Sequence, residues 1–188
     1  MLLQRLPGDE NRQYRVVKFL DENGLTALQD FQFANLSKLQ LLYLRSNKIQ
    51  SIQPYAFSGL KNITEIWLDG NLFHYLTDLS LDTFKSLQHY GLSKNKIRKV
   101  NMACSSNITY NISKIDVSMN RITRLTTELF PSFQNFTMLS TFNINDNRLE
   151  YIKPNTFNST INLKELNIRN NRIDTLDFIQ PLHKLNIL

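Results

Sequence analysis

Asparagine recurs along this chain as Asn23, Asn47, Asn71, Asn95, Asn120, Asn147 and Asn171, at spacings of 24, 24, 24, 25, 27 and 24 residues. Each of them closes the same apolar frame. Leu39, Leu42 and Leu44 precede Asn47, and Ile49, Ile52, Phe57 and Leu60 follow it. Leu163, Leu166 and Ile168 precede Asn171, and Ile173 and Leu176 follow it. The frame reads L-x-x-L-x-L-x-x-N-x-L. A fixed period of this length confines the chain to a stacked array, because one coil cannot fold alone. Its few buried apolar side chains contribute roughly 1.5–3 kcal/mol each, while ordering the backbone costs about 1–2 kcal/mol per residue.

The L-x-L step alternates with period 2 and predicts a short strand. The strand must end at a tight turn, where backbone groups lose their ladder partners. An Asn amide carries two donors and an acceptor, so it serves groups above and below it in the stack. Asp lacks the donors. Leu would leave buried polar groups unpaired, at about 1–3 kcal/mol each. The seven Asn residues are therefore read as structural.

This frame resembles the leucine-rich repeat family over residues 15–188. The length of about 24 residues and the trailing Phe-x-x-Leu are similar to the class in Toll-like receptors, Slit and chaoptin-type adhesion proteins. The resemblance implies an α/β-type repeat solenoid of about 7 repeats. That horseshoe has a parallel β-sheet on its concave face and a mostly irregular or short-helical convex side. Residues 1–14 match no repeat and are expected to be an irregular segment. Leu185 and Leu188 begin a further repeat, so the solenoid reads as truncated in its last repeat, a piece of a longer protein. Signal and anchor would then lie outside this chain.

Two coils depart from the frame. Lys18 occupies a core slot of the first, which predicts an edge strand with local rearrangement. In the coil after Asn95, residues 101–111 put polar groups where the Phe should stand. The lone Cys104 lies there and reads as a small buried hydrophobe. The coil after Asn120 is longer and carries Phe130, Phe133 and Phe136.

Side chains between the strand leucines point to the concave face. The central column reads Phe19, Tyr43, Trp67, Gly91, Asp116, Asn143, Asn167, and one flank reads Val17, Leu41, Glu65, His89, Lys114, Thr141, Glu165. Adjacent strands lie about 4.8 Å apart, so Phe19, Tyr43 and Trp67 should form one patch. Aromatic anchors within a charged rim of Arg45, Glu65, Asp69 and His89 have the composition of a protein-binding hot spot. His89 is expected near Asp69 and Asp116.

A basic stripe follows the turn as Lys48, Lys96, Arg121, Arg148 and Arg172, joined by Arg98, Lys99 and Arg124, within a chain of net charge +6. It admits an anionic glycan as a second partner. Nucleic acid is not expected, since no base-reading motif accompanies the charge.

Six N-x-[ST] sequons occur, at Asn35, Asn62, Asn107, Asn111, Asn135 and Asn158. Chance alone gives about 3, so their placement off the concave strands carries more weight than their number. The three His residues lie in different coils, and no nucleophile–base order or Gly-rich phosphate loop is present. Neither an enzyme nor a cofactor nor a metal is expected. No apolar run approaches the roughly 20 residues of a membrane helix.

The sequence thus predicts a protein–protein recognition module, extracellular or in the ectodomain of a membrane protein, in a receptor, adhesion or matrix role. Its alternative is a cytoplasmic leucine-rich repeat scaffold or regulatory subunit, which suits the single Cys. An enzyme with an appended repeat array would need a catalytic domain elsewhere.

Overall fold

The computed structural model describes residues 2–4, 15–76, 84–100, 109–126 and 135–187. Seven short strands repeat along it: β2 (Arg15–Phe19), β4 (Leu41–Tyr43), β6 (Glu65–Trp67), β8 (His89–Gly91), β10 (Lys114–Asp116), β12 (Thr141–Asn143) and β14 (Glu165–Asn167). They form one parallel sheet in chain order. Every strand aligns on the same phase, from Val17↔Leu41 and Leu41↔Glu65 to Thr141↔Glu165. The alignment survives the coils of 25 and 27 residues, so their extra residues lie off the sheet. Coils are numbered 1 to 7 by their asparagines, Asn23 to Asn171. The middle residue of each regular strand (Leu42, Ile66, Tyr90, Ile115, Phe142, Leu166) is buried in the core. Residues on either side of it face the concavity.

Coil 1 departs from its expected form. Its strand β2 is not an edge. Strand β1 (Leu2–Gln4) pairs with it antiparallel, Leu2↔Val17 to Gln4↔Arg15. The stretch that matches no repeat thus supplies a strand, which covers the open row of N–H and C=O groups that a sheet edge would present. Val17 and Leu41, expected to stand open on the concave flank, are fully buried. Arg15 reaches Glu65 two strands away at 3.0 Å and so crosses the strand that carries Leu41.

The asparagines work in a more directional way than the sequence suggests. Asn71 Nδ2 donates to Leu44 O (2.9 Å) in the preceding coil and to Leu68 O (2.9 Å) in its own. Its Oδ1 accepts from Ile49 N–H at 3.0 Å, again in the preceding coil. Asn47, Asn95, Asn120, Asn147 and Asn171 repeat this pattern. Each amide therefore reaches backward only, and the link forward is made by the next Asn. Asn23 has no preceding coil of this kind. It is exposed and donates only to its own Leu20 O and Asp21 O.

The residue before each ladder Asn is left-handed: Glu22, Ser46, Gly70, Lys94, Met119, Asp146 and Asn170, with φ from 52° to 69°. Such a conformation costs an L residue roughly 1–2 kcal/mol, yet only one of the seven is Gly. Hydrogen bonds on both sides fix it. Ser46 N–H, for example, donates to Asp69 O (2.9 Å) in the next coil.

Turns and short two-stranded ladders fill the convex side. They are β3 (Ala27–Leu28) with β5 (Ser51–Ile52), β7 (Tyr75–Leu76) with β9 (Lys99–Val100), and β11 (Arg124–Leu125) with β13 (Tyr151–Ile152). The helical content expected there reduces, among the described residues, to one 3-10 turn at Asp177–Ile179. Aromatic rings stack behind the sheet, with Phe33–Phe57 at 5.8 Å, Phe57–Phe84 at 5.4 Å and Phe157–Phe178 at 6.1 Å. Coil 4 does not lack this ring. Tyr110 is buried against Phe136 at 6.1 Å. Its coil is longer, so the ring arrives several residues late. Cys104, Phe130 and Phe133 lie outside the described residues.

Tyr90 fills a core position, and its hydroxyl is buried without a hydrogen-bond partner among the described residues. Burial pushes the phenol far above its ordinary range, so it stays neutral. Tyr90→Phe removes an unpaired polar group and should raise the unfolding free energy by about 1 kcal/mol in urea denaturation. A loss of stability instead would show that the hydroxyl has a partner.

Candidate partner-binding face

The first three coils stack their central column. The Phe19 and Tyr43 rings lie 5.0 Å apart at 14°, and Tyr43 and Trp67 lie 6.4 Å apart at 3°. In-register parallel strands place the same phase of each coil side by side, which is why the rings align. Trp67, the only tryptophan, extends beyond its own strand over Gly91. A Cβ at position 91 would stand 2.6 Å from Trp67 Cε3 and 2.7 Å from Asp69 Oδ2.

The expected charged rim is not a rim. Arg45 lies across the stack, its guanidinium 4.8 Å from the Tyr43 centroid and 4.3 Å from that of Trp67. A guanidinium over aromatic faces at this range is attracted by the ring quadrupoles. Arg45 Nε sits 3.6 Å from Asp69 Oδ2. Asp69 Oδ1 accepts from Ser93 Oγ (2.7 Å) and Ser93 N–H (3.0 Å). Glu65 accepts from Trp67 Nε1 (3.1 Å) and Arg15 (3.0 Å), and His89 Nδ1 lies 3.5 Å away. His89 therefore pairs with Glu65 rather than with Asp69 or Asp116. The side chains of Glu65 and Asp69 are only 13% and 17% exposed, so they hold the ring and the guanidinium in place from below. Phe19, at 44%, is the most open ring.

All seven candidate residues thus meet in one network. Sequence reasoning missed Arg15, Gly91 and Ser93 as parts of it. Gly91 was visible as the gap in the column beside Trp67. Arg15 had no signal, since it borders the segment that matches no repeat.

Burial alone would raise the Glu65 carboxyl. Hydrogen bonds from His89 and Trp67 and the charges of His89 and Arg15 outweigh it and hold the group below its ordinary 4.5. A lowered folded value means that this stabilisation is present above 4.5 and is lost as pH falls below it. Trp67 emission should therefore change in that acidic window, and Glu65→Gln should abolish the change. An identical acid transition in the variant would place its cause elsewhere.

Further along the concave face the coils are polar, as expected. A cavity of about 410 Å³ is lined by Lys114, Asp116, Thr141, Asn143, Glu165 and Arg169. Asp116 accepts there from Ser118 N–H (2.9 Å) and Asn143 Nδ2 (3.1 Å). Among the described residues, no group of three or more His, Cys, Asp or Glu stands ready to hold a metal ion.

The sequence profile described as leucine rich repeat matches residues 19–73 and 137–188, more than half of the chain. The chain belongs to the leucine-rich repeat family. No curated protein matches it in sequence. Among solved structures it is similar to Toll in the Toll–Spatzle complex of Drosophila, with a TM-score of 0.77 and 26% identity over 93% of this chain and 24% of that one. It is also similar in fold to TLR13 in a complex with ssRNA13 (TM-score 0.64, 24% identity, 90% of this chain and 27% of that one). The leucine-rich repeat domain of APL1B gives a TM-score of 0.66 at 20% identity, over 84% of this chain and 42% of that one. The chain spans about a quarter of the length of the Toll and TLR13 structures.

The sequons of this leucine-rich repeat chain differ in setting. Asn35 and Asn158 are exposed. Asn62 and Asn111 are exposed too, but each Nδ2 donates to the preceding coil, to Ser37 O (2.9 Å) and Lys85 O (3.1 Å). Asn162, not in a sequon, makes the same bond to Thr137 O (2.8 Å). These positions form a second, partial asparagine ladder. Asn135 is half-buried, and Asn107 lies outside the described residues. No helix among the described residues is long and apolar enough to cross a membrane.

Proposed function

We propose that this chain is the ligand-binding part of an extracellular or membrane-anchored leucine-rich repeat protein, in a receptor, adhesion or matrix role. Its partner is a protein, bound on the concave face of coils 1 to 3. Phe19, Tyr43 and Trp67 are the anchors, and Arg45, Glu65, Asp69 and His89 orient them. The observation that carries this reading is the pre-ordered aromatic column with Arg45 laid across it. Rings and a guanidinium already fixed in place lose little further entropy on binding, and Trp, Tyr and Arg are the residue types that dominate hot spots. The similarity to Toll, whose structure was solved with Spatzle, supports a protein partner and an extracellular setting. The exposed sequons Asn35 and Asn158 fit the same setting.

The test uses the single tryptophan. Extracellular domains displayed as a library are selected on the folded chain, and each binder is titrated while Trp67 emission is followed. The reading expects the selected partner to shift that emission and to protect strands β2, β4 and β6 from hydrogen exchange. A partner that leaves the emission unchanged and protects only a flank overturns the concave site. An immunoblot of the native protein with and without N-glycan removal tests the location. A band that does not move on deglycosylation overturns the extracellular reading.

A further inference from the structure

The concave network uses Arg15 and Arg45, but the basic stripe takes no part in it. The structure sorts that stripe. Arg172 faces Glu150 at 3.9 Å, so its charge is countered. Lys48 stands apart, because Leu72 occupies the same phase in coil 3. Six cations remain on three consecutive coils: Lys96, Arg98 and Lys99, then Arg121 and Arg124, then Arg148. None of these six side chains has an ion pair or hydrogen bond among the described residues. Arg98, Lys99, Arg124 and Arg148 are exposed.

Their backbone is rigid. Lys96 N–H donates to Phe73 O (2.9 Å), Arg98 N–H to His74 O (3.0 Å), Arg121 N–H to Ile97 O (2.8 Å) and Arg148 N–H to Ile122 O (3.0 Å). Successive coils lie about 4.8 Å apart, well inside the Debye length of about 8 Å at physiological ionic strength. Six uncompensated charges at that spacing repel one another, and an extended polyanion lying across the coils removes the repulsion. The flank is also open. The cations stand 1 to 4 residues past their ladder Asn, whereas every sequon stands 11 to 16 residues past its own, on the return path. Glycans on the sequons would leave this flank bare.

We propose that this flank of coils 4 to 6 binds a sulfated glycan. A single-stranded nucleic acid would need aromatic faces between the cations for base stacking. Here Tyr75 and Tyr151 pair with Lys99 and Arg124 at the outer ends of the patch, and no aromatic residue stands between them. The site is separate from the concave face and does not depend on it.

The experiment is heparin affinity of the full chain against two triple variants of equal charge. Arg98→Ser/Lys99→Ser/Arg124→Ser empties the flank. Lys38→Ser/Lys61→Ser/Lys164→Ser removes three exposed lysines on the return side. The first should bind heparin at least tenfold more weakly at 150 mM salt, with a salt slope lower by about 3. The second should bind within twofold of the parent. Arg98→Lys/Arg124→Lys, which keeps the charge, should retain most of the affinity. Circular dichroism and urea denaturation verify that each variant is folded. Equal losses in both triple variants would reduce the effect to net charge and overturn the site. Undiminished binding of desulfated heparin, or tighter binding of a single-stranded oligonucleotide at the same salt, would overturn the ligand class.

Discussion

Asn120→Leu should lower the unfolding free energy by about 3 kcal/mol. Asn120 Nδ2 donates to Leu92 O, Val117 O and Ser118 O at 3.0, 3.0 and 3.1 Å, and Oδ1 accepts from Ile97 N–H at 2.9 Å. The three carbonyls are not orphaned by the change. Leu92 O still accepts from Asn95, Val117 O from Asn147, and Ser118 O from Lys94 N–H. Ile97 N–H has no second acceptor in the interior, so it bears the full desolvation penalty of about 1–3 kcal/mol. The three bonds lost at shared carbonyls add to it. So does the left-handed Met119, which then keeps its strain with less to hold it. Asn23→Leu is the control. That residue is exposed and bonds only within its own turn, so its loss should cost no more than about 1 kcal/mol. Urea denaturation followed by Trp67 emission measures both. Equal costs would mean that the ladder contributes through local turn geometry and not through its bonds between coils.

The sheet was legible because its determinant is periodic. Seven asparagines in one apolar phase fix where each strand ends, and alternation fixes which side chains face inward. That is enough to place Phe19, Tyr43 and Trp67 side by side. Period and alternation say nothing of where a long side chain goes once it leaves the sheet. Arg45 stands on the concave face as expected, yet it turns sideways onto two rings because their quadrupoles and Asp69 attract it. Arg15 spans two strands to Glu65 for a comparable reason, and Val17 and Leu41 are buried there. His89 prefers Glu65, already in its own row, to the carboxylates of the central column. The left-handed turn was invisible because seven different environments impose it on almost any residue. Tyr110 was missed because an insertion moved the ring off its usual phase while leaving its place in the stack unchanged.

Gly91→Ala should cost the concave site about as much as Trp67→Ala, near 2 kcal/mol or roughly thirtyfold in partner affinity. The two changes act from opposite sides. Trp67→Ala deletes the anchor, and Arg45 loses the nearer of its two rings. Gly91→Ala leaves the anchor chemically intact but occupies its resting place, with Cβ 2.6 Å from Cε3 and 2.7 Å from Asp69 Oδ2. Both atoms belong to side chains, so the backbone stays and the ring and carboxylate must move. Asp69 then no longer aligns Arg45, and Trp67 Nε1 loses its bond to Glu65. Stability should change by less than about 1 kcal/mol, because Ala suits a strand better than Gly and offsets the displaced contacts. Trp67 emission should shift to the red as the ring leaves its slot for solvent. A variant with parental emission and parental affinity would show that the ring does not need the space above Gly91. The column would then be a floor that the partner does not read.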